Sequence, residues 1–328
     1  MATIKKKALI IGAGTGGYPC AIRLGQLGVD AMLVEKDKPG GVCLNWGCIP
    51  SKALISATKL YHKAQHVKDM GLSFGQAAVD MTQMQSWKSG IVKKLTGGVQ
   101  GLVKGAGTQY VTATAELLDA HRVKLTYADG RPEDIVEAEH IVIATGSLPI
   151  EIPGFKFDGK RVLDSTAALD LAQIPKRMVC VGGGIIGLEL GQTFQRLGTQ
   201  LVVLEGLPRI LNGVDAECAE VVARQIKKDG GQIHTGAKAL GWEERGGEAV
   251  VKAEVGGKIQ EFACDVILVA VGRRPVTQGF GLDKTGVKVS PRACRSRSTA
   301  SRSPRSRERD SAAAGGLGSG RCGGRPAR

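Results

Sequence analysis

The sequence predicts an α/β fold built from two Rossmann-like dinucleotide-binding domains. Two observations carry this expectation. A strand, a GxGxxG turn, a helix and a second strand occur twice at an offset of 170 residues, and both copies place a glutamate 23 residues after the first glycine. Composition agrees, because 47 glycines and 4% aromatic residues suit a chain full of tight strand-to-helix turns. A length of 328 residues accommodates two domains with proper cores.

In the first copy, Lys7 to Ile11 is an apolar strand that runs into Gly12, Ala13, Gly14, Thr15, Gly16 and Gly17. A helix follows to Leu27, Gly28 stops it, and Val29 to Val34 forms the second strand with Glu35 at its end. GxGxxG alone is a weak signal. In this setting every glycine has a physical reason. Gly12 makes the tight turn, Gly14 lets a pyrophosphate approach the backbone, and Gly17 packs helix on strand. The phosphates would sit at the positive helix end, and Glu35 could accept the hydroxyls of an adenosine ribose. In the second copy the strand is Met178 to Val181, the glycines are Gly182, Gly184 and Gly187, and the helix runs to Leu197. Gly198, the strand Leu201 to Leu204 and Glu205 complete it. Glu205 favours a free 2′-hydroxyl, hence NAD, whereas the nearby Arg209 would accommodate a 2′-phosphate.

Between the copies, residues 60 to 105 read as mostly helical and 108 to 143 as short strands, with a turn at Ala128, Asp129 and Gly130. Ile141 to Pro149 reads as a buried strand ending in Thr145 and Gly146, and Val266 to Pro275 echoes it. The expected domains are 1–150, which holds the reactive cysteines described next, 151–275, and a return towards the first domain over 276–292.

The reactive centre is Gly40 to Ile55, GGVCLNWGCIPSKALI. On a continuous helix the Cα atoms of Cys43 and Cys48 would be roughly 8–9 Å apart, beyond the 4.4–6.8 Å of a disulfide. If they bond, the turn containing Asn45 and Gly47 must be distorted, which favours a reducible working disulfide. Ile49 to Ile55 reads as a helix start with Pro50 in its first turn. Cys48 then faces the positive helix end with Lys52 on the same face, two reasons for a lowered thiol pKa. Cys43 is left as the outer partner. A structural disulfide is the alternative for a chain with a secretory signal, which we do not find. A metal site would want further ligands at CxxC or HxxxH spacing, and no metal is expected. Cys20, Cys180, Cys218 and Cys264 lie in apolar contexts and read as core residues.

The stretch GGVCLNWGCIPSKAL resembles the redox signature of the flavin-dependent pyridine nucleotide disulfide oxidoreductases, and CLN followed by GCIPSKAL is most similar to their dihydrolipoamide dehydrogenase subfamily. Trp46 stands where a smaller apolar residue is commoner. The resemblance implies FAD on the first unit, NAD on the second, and catalytic roles for Cys43, Cys48, Lys52 and Glu189, the last two paired beside the flavin. It implies cofactor contacts at Gly12, Gly14, Gly17, Glu35, Lys36, Gly41, Val42, Lys52, Ala115, Thr145 and Gly146. In the second unit the implied contacts are Gly182, Gly184, Ile185, Ile186, Gly187, Glu205, Ala270, Gly272 and Arg273. The implied reaction oxidises protein-bound dihydrolipoamide with NAD⁺ as acceptor. The implied partner is a lipoyl-bearing carrier protein of a 2-oxo acid dehydrogenase or glycine cleavage complex, reached by a homodimer. The alternatives are an NADPH-dependent disulfide or mercuric reductase and a non-catalytic dinucleotide-binding remnant.

The resemblance ends near residue 292. From Arg292 onward an Arg, Ser, Ala and Gly mixture carries +8 of the net charge of +14. A shifted reading frame in a GC-rich gene, an Arg/Ser tail that binds RNA or another anion, and a disordered tail without function are the three readings, of which we adopt the first. The family's interface domain, with its histidine and glutamate acid/base pair, is missing, and His62, His66, His121, His140 and His234 lie in the wrong segments to supply it. Impaired turnover and no homodimer are therefore expected of this chain. With no apolar run of the 18 residues a membrane span needs, a cytoplasmic location is expected, and nucleic acid is not an expected partner of the body.

Overall fold

The computed structural model describes residues 2–73, 75, 77–290 and 293–295. The tail expectations from residue 296 onward lie outside the described residues.

The chain opens with β1 (Thr3–Ile11), α1 (Gly17–Gln26) and β2 (Ala31–Glu35), the first strand–turn–helix–strand unit. Two helices, α2 (Gly41–Trp46) and α3 (Cys48–Gln65), carry the cysteine stretch. Residues 60 to 105, expected to be mostly helical, are so with one interruption. Gly71 adopts a left-handed backbone after a short 3₁₀ turn, and α4 (Met81–Gly105) starts afresh where the Asp80 carboxylate accepts from the Gln83 N–H. There follow β3 (Gln109–Thr112), β4 (Thr114–Leu117), β5 (Arg122–Thr126) and β6 (Asp134–Ile143).

These strands form one six-stranded sheet in the order β3-β2-β1-β6-β5-β4, parallel across β3, β2, β1 and β6 and antiparallel beyond. Leu9, Met32, Leu33, Val123, Leu125 and Val136 are its buried centre. The segment expected to run as one buried strand from Ile141 to Pro149 divides instead. β6 ends at Ile143, its last residues are half-buried, and Gly146 turns the chain with φ +76° into a separate β7 (Ser147–Pro149).

The second unit begins with β8 (Val162–Leu163), α5 (Ser165–Leu169), β9 (Arg177–Val181), α6 (Ile185–Gln195) and β10 (Gln200–Glu205). It continues through α7 (Ala216–Lys228), β11 (Gln232–Thr235), the antiparallel β12 (Lys238–Arg245), β13 (Glu248–Val255) and β14 (Lys258–Cys264), and β15 (Val266–Val269). Its five-stranded sheet, in the order β11-β10-β9-β15-β8, is parallel throughout, and its central strands β9 and β15 are buried apolar runs, Met178 to Val181 and Val266 to Val269, because helices and the three-stranded sheet cover both faces.

The two echoing segments meet directly. β16 (Arg273–Pro275) pairs antiparallel with β7, and Arg273 forks onto Ser147, Nε to Oγ at 2.9 Å and Nη2 to the carbonyl at 2.6 Å. The chain then returns to the first sheet: Phe280 and Leu282 join its core, and the Leu117 N–H donates to the Phe280 carbonyl. β17 (Lys288–Ser290) pairs with β18 (Ala293–Arg295).

The two units share one stereochemical device. A Cβ on Gly17 would lie 1.8 Å from the Gly12 oxygen, and a Cβ on Gly187 2.4 Å from the Gly182 oxygen. Gly187→Ala should therefore lower unfolding free energy by at least the roughly 1–3 kcal/mol of an overpacked core. Gly184→Ala, with nothing within 4 Å of its added methyl, should leave it nearly unchanged. Urea melts of the two variants check this.

Candidate active site

Gly47 adopts φ −146° and ψ −110°, which ends α2 and lets α3 begin anew at Cys48. The break brings the Cα atoms of Cys43 and Cys48 to 4.6 Å, and the two are joined as a disulfide. The distortion expected around Asn45 and Gly47 falls on the glycine. Asn45 stays helical and fastens α2 in place, its amide donating to the Pro39 carbonyl at 2.9 Å and the Gly41 carbonyl at 3.0 Å. Pro50 is the third residue of α3, inside the first turn, where a missing N–H leaves no bond unmade.

Cys48 thus stands at the positive end of an 18-residue helix whose first turn holds no acid. Lys52 does not spend its charge on Cys48. Its Nζ donates to both carboxylate oxygens of Glu189 on α6, each at 2.7 Å, and so ties the two units together. Cys48 is exposed and Cys43 half-buried, so accessibility does not single out Cys43 as the outer partner, and that assignment rests on the place of Cys48 at the helix end.

The first glycine turn lies against this centre. Gly12 holds φ +101°, with the position of a Cβ 2.3 Å from the Ala144 oxygen, and Gly41 at φ +57° packs on Gly14 with its own at 2.5 Å from that Cα. Two helix starts therefore converge with only glycines between them, a cradle any side chain would fill. The Glu35 carboxylate is held by the Ala13 N–H at 2.7 Å and the Asp37 N–H at 2.9 Å, leaving each oxygen a further lone pair.

The second turn repeats this. Gly182, φ +111°, fits under the Ala270 oxygen, and Glu205 accepts from the Gly183 N–H at 2.6 Å and the Leu207 N–H at 2.8 Å. Gly184 faces open space, and Ile185 and Ile186, the first residues of α6, are exposed apolar side chains beside it. Sequence reasoning missed the contributions of Ala13 and Gly183. Their signal is that a small residue separates the first two glycines in both copies.

The remaining expected residues scatter around the two cradles. Lys36 is exposed past β2, Val42 is half-buried in α2, and Ala115 is buried in β4. Thr145 donates its hydroxyl to the Val276 carbonyl at 2.8 Å, and Gly146 and Gly272 both hold positive φ at the crossing between units. Arg273 is committed to Ser147.

Of the four cysteines expected in the core, Cys180 and Cys264 are buried and Cys20 is half-buried, but Cys218 is exposed on α7. It sits one residue off the stripe that buries Ala219 and Ile226. Lys88 is an unexpected core residue, its Nζ donating to the Leu169 carbonyl at 2.8 Å and to Asp170 Oδ1 at 2.6 Å. Among the described residues, no helix is long and apolar enough to cross a membrane.

A sequence model of the pyridine nucleotide-disulphide oxidoreductases matches residues 6–294. The dihydrolipoyl dehydrogenase of Geobacillus stearothermophilus is 44% identical over 289 residues, 88% of this chain and 61% of the relative. That of Bacillus subtilis is 46% identical over 290 residues, with the same two shares. Among solved structures, the Cu(II) complex of the HOCl-induced flavoprotein disulfide reductase RclA from Escherichia coli matches with a TM-score of 0.74 and 25% identity, over 88% of this chain and 61% of that one. LpdA from Mycobacterium tuberculosis gives a TM-score of 0.77 at 24% identity, over 88% and 62%. The chain spans about three fifths of the length of the curated relatives it matches. Proteins of the matched family use FAD and NAD, and the glycine cradles with their pinned glutamates fit two such dinucleotides.

The Lys52 and Glu189 side chains are 58% and 31% exposed, so Glu189→Gln should cost less than about 1 kcal/mol in a denaturant melt. Burial, with Glu205 adding to it, pushes the Cys180 thiol from an ordinary 9.0 up to about 12. The unfolded thiol releases its proton above 9 while the folded one holds it to about 12, so this stabilisation is complete below 9 and drains as pH rises from 9 towards 12. Relative to Cys180→Ala, the wild-type chain should lose stability as melts are moved upward through that window.

Proposed function

Because the chain belongs to the pyridine nucleotide-disulphide oxidoreductase family, we propose that it oxidises protein-bound dihydrolipoamide through Cys43 and Cys48, with NAD⁺ as the final acceptor. The observation that carries this reading is the disulfide at the head of α3, set against the first glycine cradle and tied to the second unit by Lys52 and Glu189.

A thiolate of the reduced lipoyl group attacks Cys43 Sγ, the Cys43–Cys48 bond breaks, and Cys48 leaves as a thiolate favoured by the helix end. The second lipoyl thiol gives up its proton and attacks the lipoyl sulfur of the mixed disulfide, expelling Cys43. The lipoyl group is then a disulfide and the chain a dithiol. Bound FAD would supply the two-electron relay between that dithiol and NAD⁺, the overall exchange yielding the disulfide, NADH and one proton. Gly12, Gly14, Gly17, Gly41 and Glu35 would hold the FAD pyrophosphate and ribose. Gly182, Gly184, Gly187 and Glu205 would hold NAD, and Lys52 with Glu189 would set the charge where the units meet.

Glu205, fixed at the end of β10, favours NAD over NADP by repelling a 2′-phosphate. Arg209, whose Nη1 is buried without a partner, favours an NADPH-dependent reductase as the second reading. The proposed partner is a lipoyl-bearing carrier protein, and the relatives' homodimer is the proposed assembly of the full-length form.

The test is reconstitution with FAD followed by dihydrolipoamide oxidation with NAD⁺ or NADP⁺, in the 328-residue chain and in a form extended to the relatives' length. The extended form should prefer NAD⁺ and lose turnover entirely in Cys48→Ser. The shorter chain should be slower by at least the roughly 10²–10⁴-fold that a general base contributes. An extended form that turns over with Cys48→Ser would overturn the proposal, and a preference for NADP⁺ would favour the second reading.

A further inference from the structure

The proposed reaction makes no use of Lys88, whose side chain is only 5% exposed. It belongs to α4, a single helix of 25 residues rooted in both units. Met81, at its start, lies in the core of the second unit with Leu163, Leu169 and Met178, whereas Val99 and Val103, near its end, lie in the core of the first with Leu33 and Leu44. Where α4 passes α5, two side chains reach across. Lys88 Nζ donates to the Leu169 carbonyl at 2.8 Å and to Asp170 Oδ1 at 2.6 Å. Gln85 Nε2 donates to the same carbonyl at 3.0 Å and to that of Leu171 at 2.9 Å. Leu169 is buried, so these donors, and not water, satisfy the carbonyl with which α5 ends.

We propose that Lys88, seconded by Gln85, is a positioning residue for the proposed reaction, acting through α5 on the separation of the two units across which the electron pair passes. The inference rests on that reaction. α5 packs against α2, which carries Cys43, and against α6, which opens from the second glycine turn. Its other end is fixed as well. Asp164 Oδ1 accepts from the Ala167 N–H at 2.8 Å, and the Asp164 charge reaches Arg273 in the crossing ribbon of β7 and β16. α5 is therefore a wedge between the cysteine helix and the nucleotide helix, and α4 sets its seat. A buried ammonium is a costly way to fill space, since apolar side chains can replace buried ion pairs with little loss of stability. What the ammonium adds is direction: its bonds are short and fall on two oxygens, which admits one placement of α5 against α4.

The test compares wild type with Lys88→Met, which keeps an apolar stem and removes the donors. Asp170 is 65% exposed and can be hydrated, and Gln85 still donates to Leu169, so the variant should keep its circular dichroism. In the 328-residue chain without cofactors, hydrogen exchange at Ala168, Leu169 and Asp170 should quicken by roughly tenfold or more, as loss of a charge-assisted hydrogen bond dictates, while α1 exchanges as before. In the FAD-loaded form extended to the relatives' length, reduction of the flavin by NADH, which crosses between the units, should slow by up to the roughly 10²-fold that a misplacement of about 1 Å costs. Reduction by dihydrolipoamide, confined to the first unit, should not change. Gln85→Ala, a milder change at the same carbonyl, should show the same split to a smaller degree, and it decides the matter if Lys88→Met does not fold. Unchanged exchange at α5, or equal effects on both half-reactions, or effects on neither, would overturn the positioning role alone. A wild type that dihydrolipoamide cannot reduce would sink the proposed reaction and this inference with it.

Discussion

The contact on which the rest of the structure depends is made where a side chain cannot exist. In each unit the first turn of a helix lies on the carbonyl of the residue that leaves the strand, Gly17 over Gly12 and Gly187 over Gly182, at distances no Cβ could occupy. This contact sets how far each helix start can withdraw from the sheet edge. It therefore also sets where the orphan N–H groups of that helix point.

The glutamates follow from the same constraint. With each helix start pressed onto its strand, the loop N–H of Ala13 or Gly183 comes within reach of the carboxylate that ends the neighbouring strand, and Glu35 and Glu205 become fixtures of the turn as well as prospective ligands of a ribose. In the first unit alone a second helix start intrudes, because Gly40 and Gly41 can both adopt positive φ. The disulfide stretch enters the site through that doorway. Between the units, Lys52 with Glu189, Lys88 with Asp170, and the ribbon of β7 and β16 span the junction.

Much of this was legible in residues 12–17, 35, 182–187 and 205, because a tight turn leaves so few residue choices that glycine spacing nearly determines the geometry. The redox stretch was legible for a related reason: bonded cysteines at a sequence separation of 5 force a break, and Gly47 is the residue best able to supply one. What stayed hidden depended on pairing at long range. No local pattern marks that the strand expected over Ile141 to Pro149 would end early so that Ser147 could meet Arg273, or that Lys88 would be buried against the end of α5. Cys218 misled because apolar neighbours along the chain do not reveal which face of an amphipathic helix a residue occupies.

The 4.6 Å between the Cα atoms of Cys43 and Cys48 is maintained by backbone features that do not involve sulfur. Gly47 supplies the break, Asn45 ties α2 to the preceding loop, and α3 is anchored along its own length by Pro50, Ala53, Leu54 and Thr58. Opening the bond therefore leaves the two sulfurs as neighbours, at an effective concentration fixed by the scaffold.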